Sequence, residues 1–173
     1  KRQIEGAPIV EVDSVSRRGL DELVQKIDEI SEDIEEKKTD APSRMSIDRV
    51  FSLKGFGTIV TGTLIEGKIS VDDEMTIYPS EKKVKVRNLQ VHGCDVKTAY
   101  AGQRTAINLS NIKVSEIQRG DVIAQTGSVE ESMMIDVNIS LVEHCKKSLK
   151  HWDRIRVFHG TKQILCRICL LYT

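Results

Sequence analysis

From residue 44 onward, apolar and polar positions alternate in short runs separated by turn residues at intervals of roughly 8 to 12, the pattern of an all-β barrel. The alternation predicts strands over Arg44–Leu53, Thr58–Glu66, Glu74–Ile77, Lys83–Val91, Arg104–Leu109 and Asp121–Ala124. Turns are predicted at Gly67, Ser70–Asp73, Pro79–Glu81, Gly93 and Ala101–Gly102. Lys54-Gly55-Phe56-Gly57 joins the first two strands, and its glycines can take the positive φ angles of a tight turn. A Gly-rich loop that cradles phosphate would instead enter a helix behind a Gly-Lys-Ser or Gly-Lys-Thr ending. Here the chain enters Thr58-Ile59-Val60-Thr61-Gly62-Thr63, a β-branched run that favours strand, so this is a β-hairpin.

The N-terminal part has the other period. Leu20, Leu23, Val24, Ile27, Ile30 and Ile34 recur at helical spacing with acids on the remaining faces, which predicts an amphipathic helix behind a short buried strand at Pro8–Val12. Residues 35–43 are polar and contain Pro42, a linker pattern. Past the barrel, Met134–Leu141 alternates as a half-buried strand, and Gln163–Tyr172 reads as another. The chain starts with Lys1 and stops inside a predicted strand, so it is expected to be a piece of a longer protein. The division expected is residues 1–40, 44–130 and 131–173.

Formal charge balances, 26 basic against 26 acidic side chains. Its distribution does not: residues 1–40 carry 7 basic and 12 acidic groups, and residues 132–173 carry 7 and 3, so a phosphate-bearing partner would favour the later parts. No apolar run approaches the ~18 residues that cross a bilayer and no signal-peptide pattern leads the chain, which predicts a soluble, cytoplasmic protein without a membrane partner. Cys94, Cys145, Cys166 and Cys169 are expected to be reduced and mostly buried. Cys166 and Cys169 have the spacing of a metal knuckle, but they sit in an apolar strand-like run where residues three apart face opposite sides, so no metal site is expected.

Three strings in one order carry a resemblance: Lys54-Gly55-Phe56-Gly57-Thr58 with the β-branched run behind it, then Val91-His92-Gly93, then Ala99-Tyr100-Ala101-Gly102-Gln103-Arg104-Thr105-Ala106-Ile107-Asn108-Leu109. Together they resemble the second domain of translational GTPases of the elongation factor Tu type, and most nearly the selenocysteine-specific elongation factors. The resemblance implies a mainly β fold: an elongation-factor-type β-barrel (domain 2), followed by a partial second β-barrel (domain 3), and preceded by one strand and one helix from the end of a GTPase domain. Residues 12–23 resemble the close of such a GTPase domain, although Asp13-Ser14 stands where the family has Ser-Ala. Residues 149–161 resemble the early part of the third domain. The phosphate loop, the switch segments and the Asn-Lys-x-Asp motif are absent from the sequence, so GTP and Mg would belong to the intact protein and this chain itself should not hydrolyse GTP. The implied partners are selenocysteinyl-tRNA, the ribosome and, through a region outside these residues, a messenger-RNA hairpin.

For the site, the resemblance points to Asp48, Arg49, Phe51 and His92 as an aminoacyl pocket. Elongation factor Tu has two acids where this chain has Asp48 and Arg49. A selenol is more acidic than a thiol, whose reference pKa is ~8.5, so selenocysteine should be anionic at neutral pH. Arg49 would then attract the selenolate while Asp48 holds the α-ammonium, selecting against serine by charge. The competing reading places these two neighbours on opposite faces of a strand, as decoration. Candidates for tRNA contacts are Lys54, Arg87 and Arg104 in the first barrel and Arg154, Arg156 and His159 in the second, together with Lys146, Lys147 and Lys150. Other translational-type GTPases (elongation factor Tu, an initiation factor, the GTPase subunit of sulfate adenylyltransferase) and a docking module without tRNA remain the alternatives.

Overall fold

Strand β1 (Arg44–Leu53) turns into β2 (Gly57–Glu66), and the hairpin they form is one third of a closed ring. Chain order continues with β3 (Lys68–Ser70), β4 (Glu74–Tyr78), β5 (Lys82–Val91), β6 (Cys94–Val96), β7 (Thr98–Tyr100), β8 (Arg104–Ser110), β9 (Val122–Gln125), β10 (Arg154–His159) and β11 (Lys162–Arg167). The ring runs β4–β9–β1–β2–β8–β5 and closes where β5 pairs back onto β4, every pair antiparallel. Closure leaves these six strands without a free edge. β6 adds to the end of β5, and β3 pairs with β7. The mainly β, barrel class expected from the alternation is the class observed.

The computed structural model describes residues 7–35, 37–142, 145–146 and 148–169. The inward positions of the ring fill it with Met45, Ile47, Val60, Leu64, Met75, Ile77, Val86, Leu89, Ile107, Leu109 and Ile123, all nearly inaccessible to solvent. These are branched or flexible side chains of moderate size, which suits a barrel of six strands better than aromatics would.

The chain divides into two units, residues 1–36 and 37–173. In the first, helix α1 (Leu20–Glu32) forms where the helical spacing placed it, with none of its residues buried within the unit and with Val24, Ile27 and Ile30 exposed. The expected strand at Pro8–Val12 does not form: residues 7–13 carry no ladder, and Ile9 is 92% exposed. An apolar run becomes a strand only when a neighbour accepts its backbone hydrogen bonds, and Pro8 supplies no donor. The same holds for Met134–Leu141, which alternates but pairs with nothing among the described residues and is exposed throughout. Of the last predicted strand, Lys162–Arg167 is β11, paired with β10, while 170–172 lie outside the described residues. The cysteines also depart from expectation: Cys94, Cys145 and Cys169 are exposed and Cys166 is half-buried, and no disulfide links them among the described residues. Cys94 sits in the short added strand β6, and Cys145 and Cys169 sit outside any ladder, so none has the core position the apolar context suggested.

Candidate functional site

Between Ile47 and Arg49, strand β1 carries one residue more than the facing stretch of β2 can match. Ile47 faces Gly62 and Arg49 faces Thr61, leaving Asp48 as the extra residue of a β-bulge. The insertion resets the alternation: Ile47 is buried and Val50 packs against the core, while Asp48, Arg49 and Phe51 fall on the outer surface. Gly62 permits this, because a Cβ there would stand 2.2 Å from the Ser46 carbonyl oxygen. Ile47 itself is fastened on three sides. Its N–H donates to the Asp121 carbonyl (2.9 Å), and its carbonyl accepts from the Gly120 N–H (2.9 Å) and from the Thr161 hydroxyl (2.7 Å) at the β10–β11 turn.

Asp48 is the centre of a charged cluster. Arg104 Nη1 donates to its Oδ2 (2.5 Å) and Arg104 Nη2 to its Oδ1 (3.1 Å), a two-pronged pair, while the Thr61 hydroxyl donates to Oδ1 (2.8 Å). Burial pushes the Asp48 carboxyl up, but the Arg104 and Thr61 bonds and the positive charges of Arg104 and Arg49 outweigh it and hold the group below the usual carboxylate range. The same pair raises the Arg104 guanidinium. Two cations therefore stand by one anion on the outer face. The Asp48 oxygens expected to receive an ammonium already accept three hydrogen bonds, and Arg104, expected as a phosphate contact, is the partner of Asp48.

Beside the cluster, Thr61, Gln90, His92, Gly93, Arg104, Thr105 and Ala106 line a shallow recess of about 230 Å³, which brings His92 next to Arg104. His92 occupies the turn after β5 at φ 53°. Farther along the same face, Leu53, Phe56, Ile59, Asn88, Gln90, Ala106 and Asn108 line a narrow, largely apolar cleft of about 100 Å³. Phe51 pairs with Ile59 across the ladder. Asp95 Oδ1 accepts from the side-chain amides of Asn88 (2.7 Å) and Gln90 (2.9 Å), which fixes both amides at the cleft wall. Asn108 Oδ1 is buried there and accepts no hydrogen bond. An apolar slot ending in an unpaired acceptor is suited to a flat group that carries an N–H donor, such as a nucleobase.

The other candidates are dispersed. Lys54 lies in the exposed β1–β2 turn, Arg87 lines a separate groove, and Arg154, Arg156 and His159 are exposed on β10. Lys146 and Lys150 are exposed outside any strand, and Lys147 lies outside the described residues. The sequence reading missed Thr61, Asn88, Gln90, Asp95 and Asn108. A slip in the alternation, from Met45 and Ile47 to Val50, marks the bulge, but nothing local links Asp48 to residues 13 and 56 positions away.

A model of the family described as elongation factor Tu domain 2 matches residues 57–124. The selenocysteine-specific elongation factor of Desulfomicrobium baculatum is 39% identical over 168 residues, 97% of this chain and 26% of that protein. A crystal structure of a bacterial selenocysteine-specific elongation factor matches with a TM-score of 0.82 at 28% identity, over 98% of this chain and 29% of the other. Translation elongation factor SelB from Methanococcus maripaludis, in complex with the GTP analogue GppNHp, matches with a TM-score of 0.74 at 25% identity, over 89% of this chain and 34% of the other. The chain thus spans about a quarter of the length of the selenocysteine-specific relatives it matches. No helix among the described residues is long and apolar enough to cross a membrane. By its barrel, by the order of its motifs along that barrel and by these likenesses, the chain belongs to the family of selenocysteine-specific elongation factors, of the elongation factor Tu type.

Proposed function

We propose that the outer face of β1, β2, β8 and β5 holds the aminoacylated 3′ end of selenocysteinyl-tRNA, in a cytoplasmic factor that delivers this tRNA to the ribosome with GTP and Mg. On this reading residues 1–40 close the GTPase domain, residues 44–130 are its second domain and residues 131–173 open the third. GTP, Mg and a messenger-RNA hairpin would be bound by parts outside these residues.

One observation carries the proposal. Arg49 and Arg104 flank a single carboxylate, Asp48, whose oxygens are engaged with Arg104 and Thr61, so the face keeps a surplus of positive charge. A selenolate would be drawn to that surplus and a seryl hydroxyl would not. A unit charge pair ~4 Å apart at an effective dielectric near 20 gains about 4 kcal/mol before desolvation. Arg49 is exposed, and solvent screening reduces such a gain to about 0.2–1 kcal/mol, or at most about 5-fold in affinity. The neighbouring cleft would take the terminal adenine, whose amino group can donate to Asn108 Oδ1, and His92 would border the ester.

The test uses the full-length factor and compares its dissociation constants for selenocysteinyl-tRNA and seryl-tRNA. Arg49→Ala should lower the preference for the selenocysteinyl form by up to about 5-fold, with Arg49→Lys intermediate. Equal binding of both charged tRNAs by the parent protein would remove the charge argument.

A further inference from the structure

The two-residue turn Gly160-Thr161, which joins β10 to β11, lies against β1 at the residue just before the bulge, 114 positions away along the chain. Gly160, at φ 56°, lets the turn come this close, because a Cβ there would stand 2.6 Å from the Ser46 hydroxyl oxygen. Gly120, at φ 97° on the segment leading into β9, makes room in the same way: a Cβ there would stand 2.9 Å from the Lys162 Cα. The Lys162 ammonium lies 3.8 Å from Oδ1 of the buried Asp121. At the centre of this contact, the half-buried Thr161 donates its hydroxyl to the Ile47 carbonyl (2.7 Å).

That bond acts on the peptide group leading into the bulge. A bulge interrupts the ladder, so the direction of its backbone depends on what holds the peptide groups on either side. The Ile47 carbonyl belongs to the planar peptide that ends at the Asp48 Cα, and the Gly120 N–H and the Thr161 hydroxyl occupy its two lone pairs. With both occupied, this plane cannot tilt without giving up a hydrogen bond, and the directions in which Asp48 and then Arg49 leave the strand are fixed with it. On the far side of the bulge the Asp48 carboxylate is held by Arg104 and Thr61. The charged pair is thus fastened at its backbone by Thr161 and at its side chain by the Arg104 fork.

We propose that Thr161 is a positioning residue for the aminoacyl face: its hydroxyl sets the backbone direction from which Asp48 and Arg49 present their charges, so it contributes to selection of the charged tRNA by acting through β1. The inference rests on the reading of the outer face as the aminoacyl site. A bond that only adds stability would leave the surroundings of the Asp48 carboxylate unchanged when removed, whereas a positioning bond must alter them.

The test compares Thr161→Val, which keeps the shape and removes the donor, with Thr161→Ser, which keeps the donor, and follows the Asp48 carboxyl by carbon-detected NMR titration of the 173-residue chain. Thr161→Val should move the Asp48 midpoint upward, toward the ordinary carboxylate value, because a tilted peptide loosens the Arg104 and Thr61 bonds that hold it down. Thr161→Ser should leave it at the parent's value. Gly160→Ala keeps the hydroxyl but pushes the turn away from Ser46, and should move Asp48 in the same direction as Thr161→Val. In the full-length factor Thr161→Val should lower the preference for selenocysteinyl- over seryl-tRNA by about 2- to 3-fold, less than Arg49→Ala, while Thr161→Ser keeps the parent's ratio. The proposal is overturned if Thr161→Val and Gly160→Ala melt lower yet leave the Asp48 titration in place, if Thr161→Ser moves it as far as Thr161→Val, or if Asp48 moves while the preference of a discriminating parent does not. Equal binding of both tRNAs by the parent would remove the charge argument for the outer face, and the Asp48 titration would still decide whether Thr161 positions that carboxylate.

Discussion

Asn108 offers a test that sets stability against binding at one atom. Its Oδ1 is buried in the outer-face cleft among Leu53, Phe56, Ile59 and Ala106 and accepts nothing. A buried acceptor left without a donor costs about 1–3 kcal/mol relative to a solvated one. Asn108→Leu removes that cost, adds apolar surface to an apolar wall, and incurs at most ~1.5 kcal/mol of misfit for a side chain slightly larger than the one replaced. The expected net gain is about 1 kcal/mol. For a unit of this size that is a rise of roughly 3–6 °C in Tm, read by circular dichroism or calorimetry. If the oxygen is kept open for a ligand, RNA should reverse the ranking: a CCA trinucleotide should raise the Tm of the parent chain and leave the variant unmoved. A variant melting at or below the parent would refute the stability argument. A variant stabilised by CCA as strongly as the parent would refute the assignment of Oδ1 to the base.

Two further outcomes follow from the same geometry. Gly62→Ala would drive a methyl to 2.2 Å from the Ser46 carbonyl oxygen and 2.9 Å from Met45 Cγ; because the first contact is backbone, the bulge must shift, and denaturant unfolding should show a loss of about 1–3 kcal/mol. Asp48 has its folded-state pKa below its unfolded value of ~3.9, so its contribution to stability is present above that value and fades as pH falls through the lower folded one. Arg104→Gln should raise the Asp48 pKa and shift this loss upward in pH, measurable by carbon-detected NMR titration of the carboxyl, and an unchanged Asp48 titration would show that the pair does not govern its ionisation.

What the sequence determined by itself was the set of long strands and their turns. Periods of two and of 3.6 are local properties, so β1, β2, β4, β5, β8 and α1 could be read from side-chain alternation without knowing any partner. Even the bulge in β1 and its counterpart in β5, between Val86 and Asn88, leave a local trace, since the buried set passes from Val84 and Val86 to Leu89 and Val91 with one residue too many, as it does around Asp48. Pairing is not local, and there the tertiary structure decided. Residues 134–141 have the alternation of a strand but no partner strand among the described residues, whereas the three-residue strands β3, β6 and β7 are too short to show a period and exist because their neighbours align them. Asp48 and Arg49 were legible as an unusual pair, yet which face they share and that Arg104 and Thr61 hold the carboxylate depend on closure of the ring, which brings together residues 56 and 13 positions apart. Chemistry at this surface is made by cross-strand neighbours, and a chain read one residue at a time records their identities but not their meeting.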